Sequence, residues 1–154
     1  MESKVKIAIT SGYFNPIHPG HIECFRLAKE VVGASHLCVI VNNDVQAQLK
    51  RGIPSFQNEN DRMDIVSSIR WVDDVVLSMD TDLTVSHTLY NLILGYRSTY
   101  DDKEIVFVKG GDRFADNTPE KKICDSMGVK LIDGLGDKTH NSSDFLRRAR
   151  NGAV

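Results

Sequence analysis

Two histidines lie three residues apart in the segment SGYFNPIHPGH, residues 11–21, which directly follows an apolar run. The segment is too irregular for a helix or a strand and too rich in proline and glycine for an ordinary loop. The spacing of His18 and His21 lets both rings point at one object. Two adjacent imidazoles can donate hydrogen bonds to an oxygen whose charge grows in a transition state. The segment is therefore a candidate catalytic loop.

The surroundings of the histidines favour an anion as the ligand. His21 lies at or near the predicted start of a helix, where free backbone N–H groups and the helix dipole attract negative charge. Gly20 has no Cβ, so a phosphate could approach the backbone closely. The familiar phosphate loops are missing, since the chain has neither a GxxxxGK[ST] sequence nor a GxGxxG after its first strand. No serine or cysteine stands in a nucleophile elbow, so covalent catalysis lacks support.

Two other interpretations of the histidine pair stay open at this point. His18 and His21 could be structural residues that cap a helix. They could also be zinc ligands, although only Cys24 stands nearby as a further ligand type and the usual ligand spacing is missing. We predict no dedicated metal site.

Composition limits the class of partner. The chain of 154 residues has 19 basic and 21 acidic side chains and a net charge of −2. This balance gives no support to non-specific binding of nucleic acid or of a membrane surface, which needs a basic excess. With 41% hydrophobic and 26% charged residues the chain is an ordinary globular one. We predict a single domain over residues 1–154.

Cysteine usage and hydropathy favour the cytoplasm. Cys24, Cys38 and Cys124 are far apart, and none lies in a CxxC sequence, so we predict small hydrophobic side chains of a reduced protein. The first residues, MESKVKIAIT, lack the apolar stretch of a secretory signal, and no run approaches the length of a membrane span. We therefore expect a soluble, cytoplasmic protein.

Strands and helices alternate along the chain. Short runs rich in β-branched residues predict strands at residues 5–11, 36–42, 73–78, 104–110 and 129–134. Apolar residues at helical spacing predict helices at residues 21–32, 59–72, 83–94, 119–127 and 142–150. Residues 42–52, which follow the second predicted strand, are predicted to form a loop. This alternation indicates an α/β fold, a Rossmann-like doubly wound parallel sheet of about five strands.

The unusual segments all follow predicted strands. They are residues 12–21, 42–52, 109–117 and 134–143. In open parallel sheets, ligands bind beyond the carboxyl ends of the strands, on the loops that follow them. The sequence therefore predicts one cleft in which these four segments meet.

Two motifs in these segments resemble those of a known superfamily. The pattern G-x-F-x-P-x-H-x-G-H is similar to the signature of the HxGH nucleotidylyltransferases, and it is filled by Gly12, Phe14, Pro16, His18, Gly20 and His21. Near the end of the chain, SSDFLR (142–147) resembles the superfamily's second motif, S-S-T-x-I-R. The segments VNNDVQAQLKRG, RWVDDVV and VFVKGGD are similar to the sugar- and polyol-phosphate branch, which includes the heptose 1-phosphate adenylyltransferases and glycerol-3-phosphate cytidylyltransferase.

The resemblance implies a direct displacement. A phosphate oxygen of the acceptor attacks the α-phosphate of CTP or ATP, and pyrophosphate leaves in line. Because the attacking phosphate is already ionised, positioning and charge stabilisation suffice. The resemblance also implies a homodimer, and Mg²⁺ that arrives with the triphosphate and is held largely by water. It leaves CTP and ATP open, and it does not name the acceptor.

The resemblance assigns roles to individual positions. His18 and His21 should hold the α- and β-phosphate oxygens, and Lys50 should reach the phosphates from the loop after the second strand. Ser142, Ser143 and Arg147 should bind the β/γ end of the triphosphate. The remaining nucleotide contacts should come from Gly12, Tyr13, Phe14, Gly20, Gly111 and Asp112.

Two positions depart from the superfamily's pattern. Asn15 replaces an aspartate that many members carry, and Asp144 stands where the second motif usually has threonine. Asp144 could contact Mg²⁺ or only cap a helix. These departures suggest an alternative, a nucleotide-binding module without turnover. A fragment of a class I aminoacyl-tRNA synthetase is a weaker alternative, because the chain has no KMSKS-like loop and no basic surplus.

Overall fold

The computed structural model describes residues 5–110 and 118–135. In these ranges five parallel strands form one sheet in the order β3-β2-β1-β4-β5. The strands are β1 (Val5–Gly12), β2 (His36–Val41), β3 (Asp74–Leu77), β4 (Lys103–Gly110) and β5 (Lys130–Leu135). The predicted α/β fold with a parallel sheet of about five strands is confirmed.

Helices cover both faces of the sheet. They are α1 (Pro19–Glu30), α2 (Asp44–Arg51), α3 (Glu59–Ser67), α4 (Ser86–Thr99) and α5 (Lys121–Ser126). Successive residues of β1 alternate between two buried clusters: Ile7 and Ile9 pack with α4, whereas Ala8 packs with α1 and α3. This arrangement explains why β2 is a continuous apolar run, since a strand covered on both faces has no solvent side.

Helix α2 corrects the prediction of a loop over residues 42–52. The helix is short and polar: its buried residues are Gln46 and Ala47, while Val45 and Leu49 are exposed. The apolar spacing that reveals an amphipathic helix is therefore absent. A capping signal was present, because Asn43 and Gln46 form a capping box and Gly52 ends the helix in the left-handed conformation.

Two predicted helix ends were also wrong. Helix α4 was expected to stop before Gly95 but continues to Thr99, because burial of Leu89 and Ile93 and the packing of Tyr96 outweigh the roughly 1 kcal/mol that an exposed glycine costs. Helix α3 was expected to reach residue 72 but ends at Ser67. A turn then carries Trp71 and Val72 into the cluster beneath α3.

The three cysteines are buried, as expected for small hydrophobic side chains. Burial raises the pKa of the thiol of Cys24 to about 11 and that of Cys38 to about 12. Across residues 5–110 and 118–135, no helix is long and apolar enough to cross a membrane.

The sheet brings the first two loops side by side. Gly12, the last residue of β1, is paired with Val41, the last residue of β2. Beyond that pair the backbone N–H of Asn42 donates to the Gly12 carbonyl at 2.9 Å. The turn before α1 and the turn before α2 therefore begin in contact.

Candidate active site

The turn after β1 is built around the ring of Phe14. A Cβ at Gly12 would lie 2.7 Å from Cζ of that ring, so only glycine fits beneath it. Phe14 has a positive φ of 52° and is 3% exposed. Its ring packs on Phe25 with centroids 5.7 Å apart and meets the ring of His21 edge-on at 4.9 Å. The buried ring of Phe14 thus supports His21, and the nucleotide contact expected of Phe14 stays a prediction.

His18 and His21 form a capping box at the start of α1. Nδ1 of His18, the N-cap residue, accepts a hydrogen bond from the Gly20 backbone N–H at 3.2 Å. Nδ1 of His21, at the N3 position, accepts one from the His18 backbone N–H at 3.1 Å. The two rings stack with centroids 3.7 Å apart and an interplanar angle of 22°. The interpretation of His18 and His21 as helix-capping residues is thus correct for the Nδ1 atom of each ring.

The capping bonds decide which nitrogen of each ring carries the proton. A neutral imidazole has one donor and one acceptor nitrogen. Because both Nδ1 atoms accept from the backbone, the proton of each neutral ring lies on Nε2. Nε2 of His21 has no hydrogen-bond partner within residues 5–110 and 118–135. The box therefore leaves His21 with a donor for a ligand.

His21 is neutral well below physiological pH. Burial, with a smaller contribution from the charge of His18, lowers the pKa of His21 from 6.5 to about 3. Two stacked imidazoles cannot both be charged at low energy, so the buried His21 ring is neutral and offers an N–H donor rather than a second positive charge.

Gly20 lies against the ring of His18 at the start of α1, and the nucleotide contact expected of it stays a prediction. A Cβ there would lie 3.0 Å from Cε1 and 3.1 Å from Nδ1 of His18, so the glycine makes room for that ring. The backbone N–H of Gly20 donates to His18 Nδ1, and that of His21 donates to the His18 carbonyl. These two N–H groups were expected to be free for an anion. Within the described chain the imidazole of His21 offers its Nε2–H instead.

Lys50 reaches the first loop from a helix rather than from a loop. It lies in the last turn of α2, and its Nζ is 4.3 Å from the centroid of the Tyr13 ring. A cation at this distance over an aromatic face is attracted by the ring. The structure thus brings together Lys50 and Tyr13, which the sequence had placed in separate segments.

Amide side chains at the start of α2 were missed by sequence reasoning. Asn43 Oδ1 accepts from the Gln46 backbone N–H at 2.9 Å, and Gln46 Oε1 accepts from the Asn43 backbone N–H at 3.1 Å. Gln46 Oε1 also accepts from Asn42 Nδ2 at 3.1 Å. The amide groups of Asn43 and Gln46 donate to four carbonyls of the loop before α4, those of Ser78, Asp80, Asp82 and Thr84.

Asn15 and Arg62 complete the support of the first loop. Asn15 is 1% exposed, and its Oδ1 accepts from the Gln57 backbone N–H at 3.0 Å. The amide of Asn15 supplies this buried acceptor without burying a charge. Arg62, on α3, is completely buried, and its Nη1 donates to the Tyr13 carbonyl at 2.8 Å. No sequence signal marks Arg62, since charged residues are usually exposed.

Five predicted site residues lie outside the described residues: Gly111, Asp112, Ser142, Ser143 and Arg147. The described ranges bring together His18, His21, Gly12, Tyr13 and Lys50 at the carboxyl end of the sheet. Within those ranges no group of three or more His, Cys, Asp or Glu side chains is arranged to hold a metal ion.

Fold and site define a class: a parallel α/β protein with a histidine-capped helix after its first strand. The model of the family described as "Cytidylyltransferase-like" matches residues 9–135, and the chain belongs to this family. The resemblance inferred from the HxGH segment is thereby confirmed.

Curated relatives are similar over part of their length. The chain is 31% identical to "FAD synthase" of Pyrococcus horikoshii over 84 residues, 54% of this chain and 55% of that protein. It is 33% identical to "Bifunctional protein HldE" of Paramagnetospirillum magneticum over 129 residues, 82% of this chain and 23% of that protein. The match to "FAD synthase" of Thermoplasma acidophilum, 32% identical, covers 63% of this chain and 68% of that protein.

Solved structures share the fold. A lipopolysaccharide core biosynthesis protein from Thermoplasma volcanium superimposes with a TM-score of 0.61 at 22% identity, covering 87% of this chain and 98% of that chain. A bifunctional NMN adenylyltransferase/ADP ribose pyrophosphatase from Francisella tularensis gives 0.64 at 14% identity, covering 97% of this chain and 43% of the other. At these identities the similarity is one of fold.

Proposed function

We propose that this protein is a nucleotidylyltransferase that transfers AMP or CMP from ATP or CTP to a small phosphorylated acceptor. The observation that carries the proposal is the stacked imidazole pair whose Nδ1 atoms are bound to the backbone at the start of α1. An Nε2–H donor held in place on the His21 ring suits an oxygen of a phosphate in transfer. Membership in the Cytidylyltransferase-like family supports the same activity.

The reaction is an in-line displacement at the α-phosphorus. An oxygen of the acceptor phosphate forms the new bond, the bond to the bridging oxygen breaks, and pyrophosphate leaves with that electron pair. His21 donates from Nε2 to an oxygen of the phosphate in transfer. Because its pKa is lowered to about 3, the ring is neutral at physiological pH and acts as a hydrogen-bond donor rather than as a general acid. Lys50, beside Tyr13, supplies positive charge for the phosphates.

The other predicted contacts remain part of the proposal. Ser142, Ser143 and Arg147 would bind the β/γ end, and Gly111 with Asp112 would line the nucleoside side. Mg²⁺ enters as part of the triphosphate substrate, where it neutralises charge. We propose that this ion is held largely by phosphate oxygens and water.

The relatives suggest which donor and acceptors to test first. The name FAD synthase denotes formation of a dinucleotide from an adenylyl group and a flavin phosphate, which favours ATP and adds flavin mononucleotide to the acceptors. The resemblance to the sugar- and polyol-phosphate branch adds sugar 1-phosphates and glycerol 3-phosphate. All of these acceptors share a terminal phosphate monoester that can act as the nucleophile.

A pyrophosphate-release assay tests the proposal. ATP and CTP are each combined with the acceptor panel in the presence of Mg²⁺, using wild-type protein, His21→Ala and the control His87→Ala. His87 is an exposed histidine on α4. We expect His21→Ala to lower kcat/KM by about 100- to 1000-fold, the usual loss when one oxyanion donor is removed, and His87→Ala to have no effect. Equal activity of wild type and His21→Ala would refute the mechanism.

Calorimetry distinguishes the alternative of a binding module. Such a module would bind ATP or CTP without releasing pyrophosphate for any acceptor. Asn15, one of the two residues that suggested it, has a structural role in the hydrogen bond to the Gln57 backbone. The implied homodimer stays a prediction, to be checked by light scattering at several protein concentrations.

A further inference from the structure

Arg62 is the largest side chain that the described structure buries completely. Its guanidinium donates four hydrogen bonds: Nε to the Gln57 carbonyl at 2.9 Å, Nη1 to the carbonyls of Tyr13 at 2.8 Å and Asn42 at 2.6 Å, and Nη2 to Asp44 Oδ1 at 2.7 Å. Burial of an arginine is unfavourable unless its donors are satisfied. The guanidinium presents five N–H donors in a rigid fork, whereas an ammonium group presents three donors from a single nitrogen.

The acceptors of Arg62 include both turns that follow the two neighbouring strands β1 and β2. Tyr13 lies in the turn after β1, and Asn42 directly follows β2. The hydrogen-bonded pairing of these strands ends at Gly12 and Val41, so Arg62 Nη1 bridges the two segments that follow the strands. One nitrogen that donates to both carbonyls sets the separation of the two turns at their base.

A second connection runs through Gln57. Its carbonyl accepts from Arg62 Nε, and its backbone N–H donates to Asn15 Oδ1 at 3.0 Å. Tyr13 and Asn15 are therefore both tied to the same side chain, one directly and one through a single residue. Phe14 lies between them in a left-handed conformation, and its ring meets His21 edge-on at 4.9 Å.

Asp44 supplies the counter-charge from the start of α2. Partial burial raises the pKa of this carboxyl, but hydrogen bonds from Arg62, the Glu59 backbone and the Ser55 hydroxyl outweigh it and hold the pKa below 3.8. The carboxylate is therefore ionised at neutral pH and anchors the guanidinium. Only the guanidinium side of this ion pair is buried, because the Asp44 side chain is 39% exposed. Since burying a charge seldom stabilises a fold more than apolar packing would, the placement of Arg62 at the base of both turns is the feature that needs explanation.

We propose that Arg62 is a positioning residue for nucleotidylyl transfer: it fixes the Tyr13–Asn15 turn, and through the Phe14 ring it fixes the imidazole of His21. The proposal rests on the proposed function. Arg62 acts on the donor geometry and touches neither substrate. A displacement of the imidazole by about 1 Å would lower the rate of transfer by roughly 100-fold.

A double-mutant cycle tests this action through His21. Arg62→Lys is made in the wild-type chain and in His21→Ala, and kcat and KM are measured for each folded variant. We expect kcat to fall about 10- to 100-fold in the wild-type background with KM for the triphosphate changed less than about threefold, and kcat to fall less than about twofold in the His21→Ala background. A merely structural role would lower the folded fraction equally in both, so equal losses overturn the proposal.

Two further variants guard against misfolding and trivial effects. Asp44→Asn keeps the three contacts of Arg62 to backbone carbonyls and weakens the fourth, to the side chain of residue 44. We therefore expect a smaller loss of kcat, about 3- to 10-fold, with the same dependence on His21. Arg26→Lys is the matched control, because Arg26 pairs with Glu30 on the exposed face of α1. It should leave kcat unchanged. A loss of kcat in Arg26→Lys equal to that in Arg62→Lys would contradict the proposal.

An NMR measurement separates this inference from the proposed function. If the wild type releases no pyrophosphate, the proposed function fails, but ¹⁵N and ¹H shifts of the His21 ring still report its position. Arg62→Lys and Asp44→Asn should shift the His21 ring signals, while Arg26→Lys should not. Unchanged His21 signals in folded Arg62→Lys would overturn the positioning role whatever the outcome of the activity assay.

Discussion

Two helices, α1 and α2, begin side by side with the same kind of capping box, built from different side chains. At α1 the box is His18 and His21, and at α2 it is Asn43 and Gln46. The amides of the second box give every remaining donor to the loop before α4. The imidazole of His21 uses only Nδ1 and keeps its Nε2–H. The same capping geometry therefore uses all the side-chain donors for structure at α2, whereas at α1 it leaves the Nε2–H of His21 for a ligand.

Replacing Gln46 should have the largest effect on stability. Gln46 is fully buried, and Gln46→Ala would remove two acceptor and two donor contacts and leave buried polar groups without partners. At about 1–3 kcal/mol for an unsatisfied group, with partial relaxation, we expect the free energy of unfolding to fall by about 3 kcal/mol in urea titrations. A loss below about 1 kcal/mol would contradict the assignment of a purely structural box.

The histidine box should make stability depend on pH, unlike the amide box. His21 has a folded pKa of about 3, whereas the unfolded residue titrates near 6.5. The unfolded state therefore binds the extra proton between these values, and stability falls as pH is lowered through this window. Between pH 7 and pH 5 we expect a loss of about 2 kcal/mol from this group.

The matched variant is His21→Gln, which places in the first box the residue type found in the second. Urea titrations at pH 7 and pH 5 should show that its stability changes with pH by about 2 kcal/mol less than that of the wild type. The same pH dependence in both proteins would show that the His21 ring is not buried as a neutral group.

Gly20→Ala should separate activity from stability at the first box. The new Cβ would meet Cε1 and Nδ1 of His18 at 3.0 and 3.1 Å, so the ring must move by a few tenths of an ångström. The better helix propensity of alanine, about 1 kcal/mol, offsets the strain. We expect kcat/KM for pyrophosphate release to fall about tenfold while thermal stability stays within about 1 kcal/mol of the wild type. Full activity would mean that the position of His18 is unimportant.

Gly95→Ala is the control for that change and has the smallest expected effect. Gly95 lies within α4, and a Cβ there would meet nothing within 4 Å. Alanine should therefore stabilise the protein by about 0.5–1 kcal/mol, because it reduces the entropy of the unfolded chain. Activity should stay unchanged. A melting temperature below that of the wild type would show that α4 is strained at this position.

The fold was largely predictable because its signals are local. The strands and most helices follow from short apolar runs and from apolar residues at helical spacing, and parallel order follows from their alternation. Helix α2 was missed because its buried positions hold Gln46 and Ala47 rather than large apolar residues. The extension of α4 past Gly95 was missed because it depends on the packing of Tyr96 against a cluster whose residues come from distant parts of the chain.

The site was predictable only in part. The histidine pair is visible in the sequence, since its residues are close together and chemically distinctive. The contact of Lys50 with Tyr13 and the support of the first turn by Arg62 were not visible, because they join positions 37 and 49 residues apart. The packing roles of Gly20 and Phe14 were not visible for a similar reason. Their neighbours in space are the rings of His18 and His21, whose orientation no spacing rule specifies.

By itself, the order of residues determined the strand–helix alternation, the position of the histidine loop directly after the first strand and the identity of the paired histidines. Only the tertiary structure decided that both Nδ1 atoms are used by the backbone, that His21 is neutral at physiological pH, and that a buried arginine holds the turn beneath it. The physical reason is that periodicity and capping act over a few residues, whereas hydrogen-bond partners and burial depend on which distant segments the fold brings together.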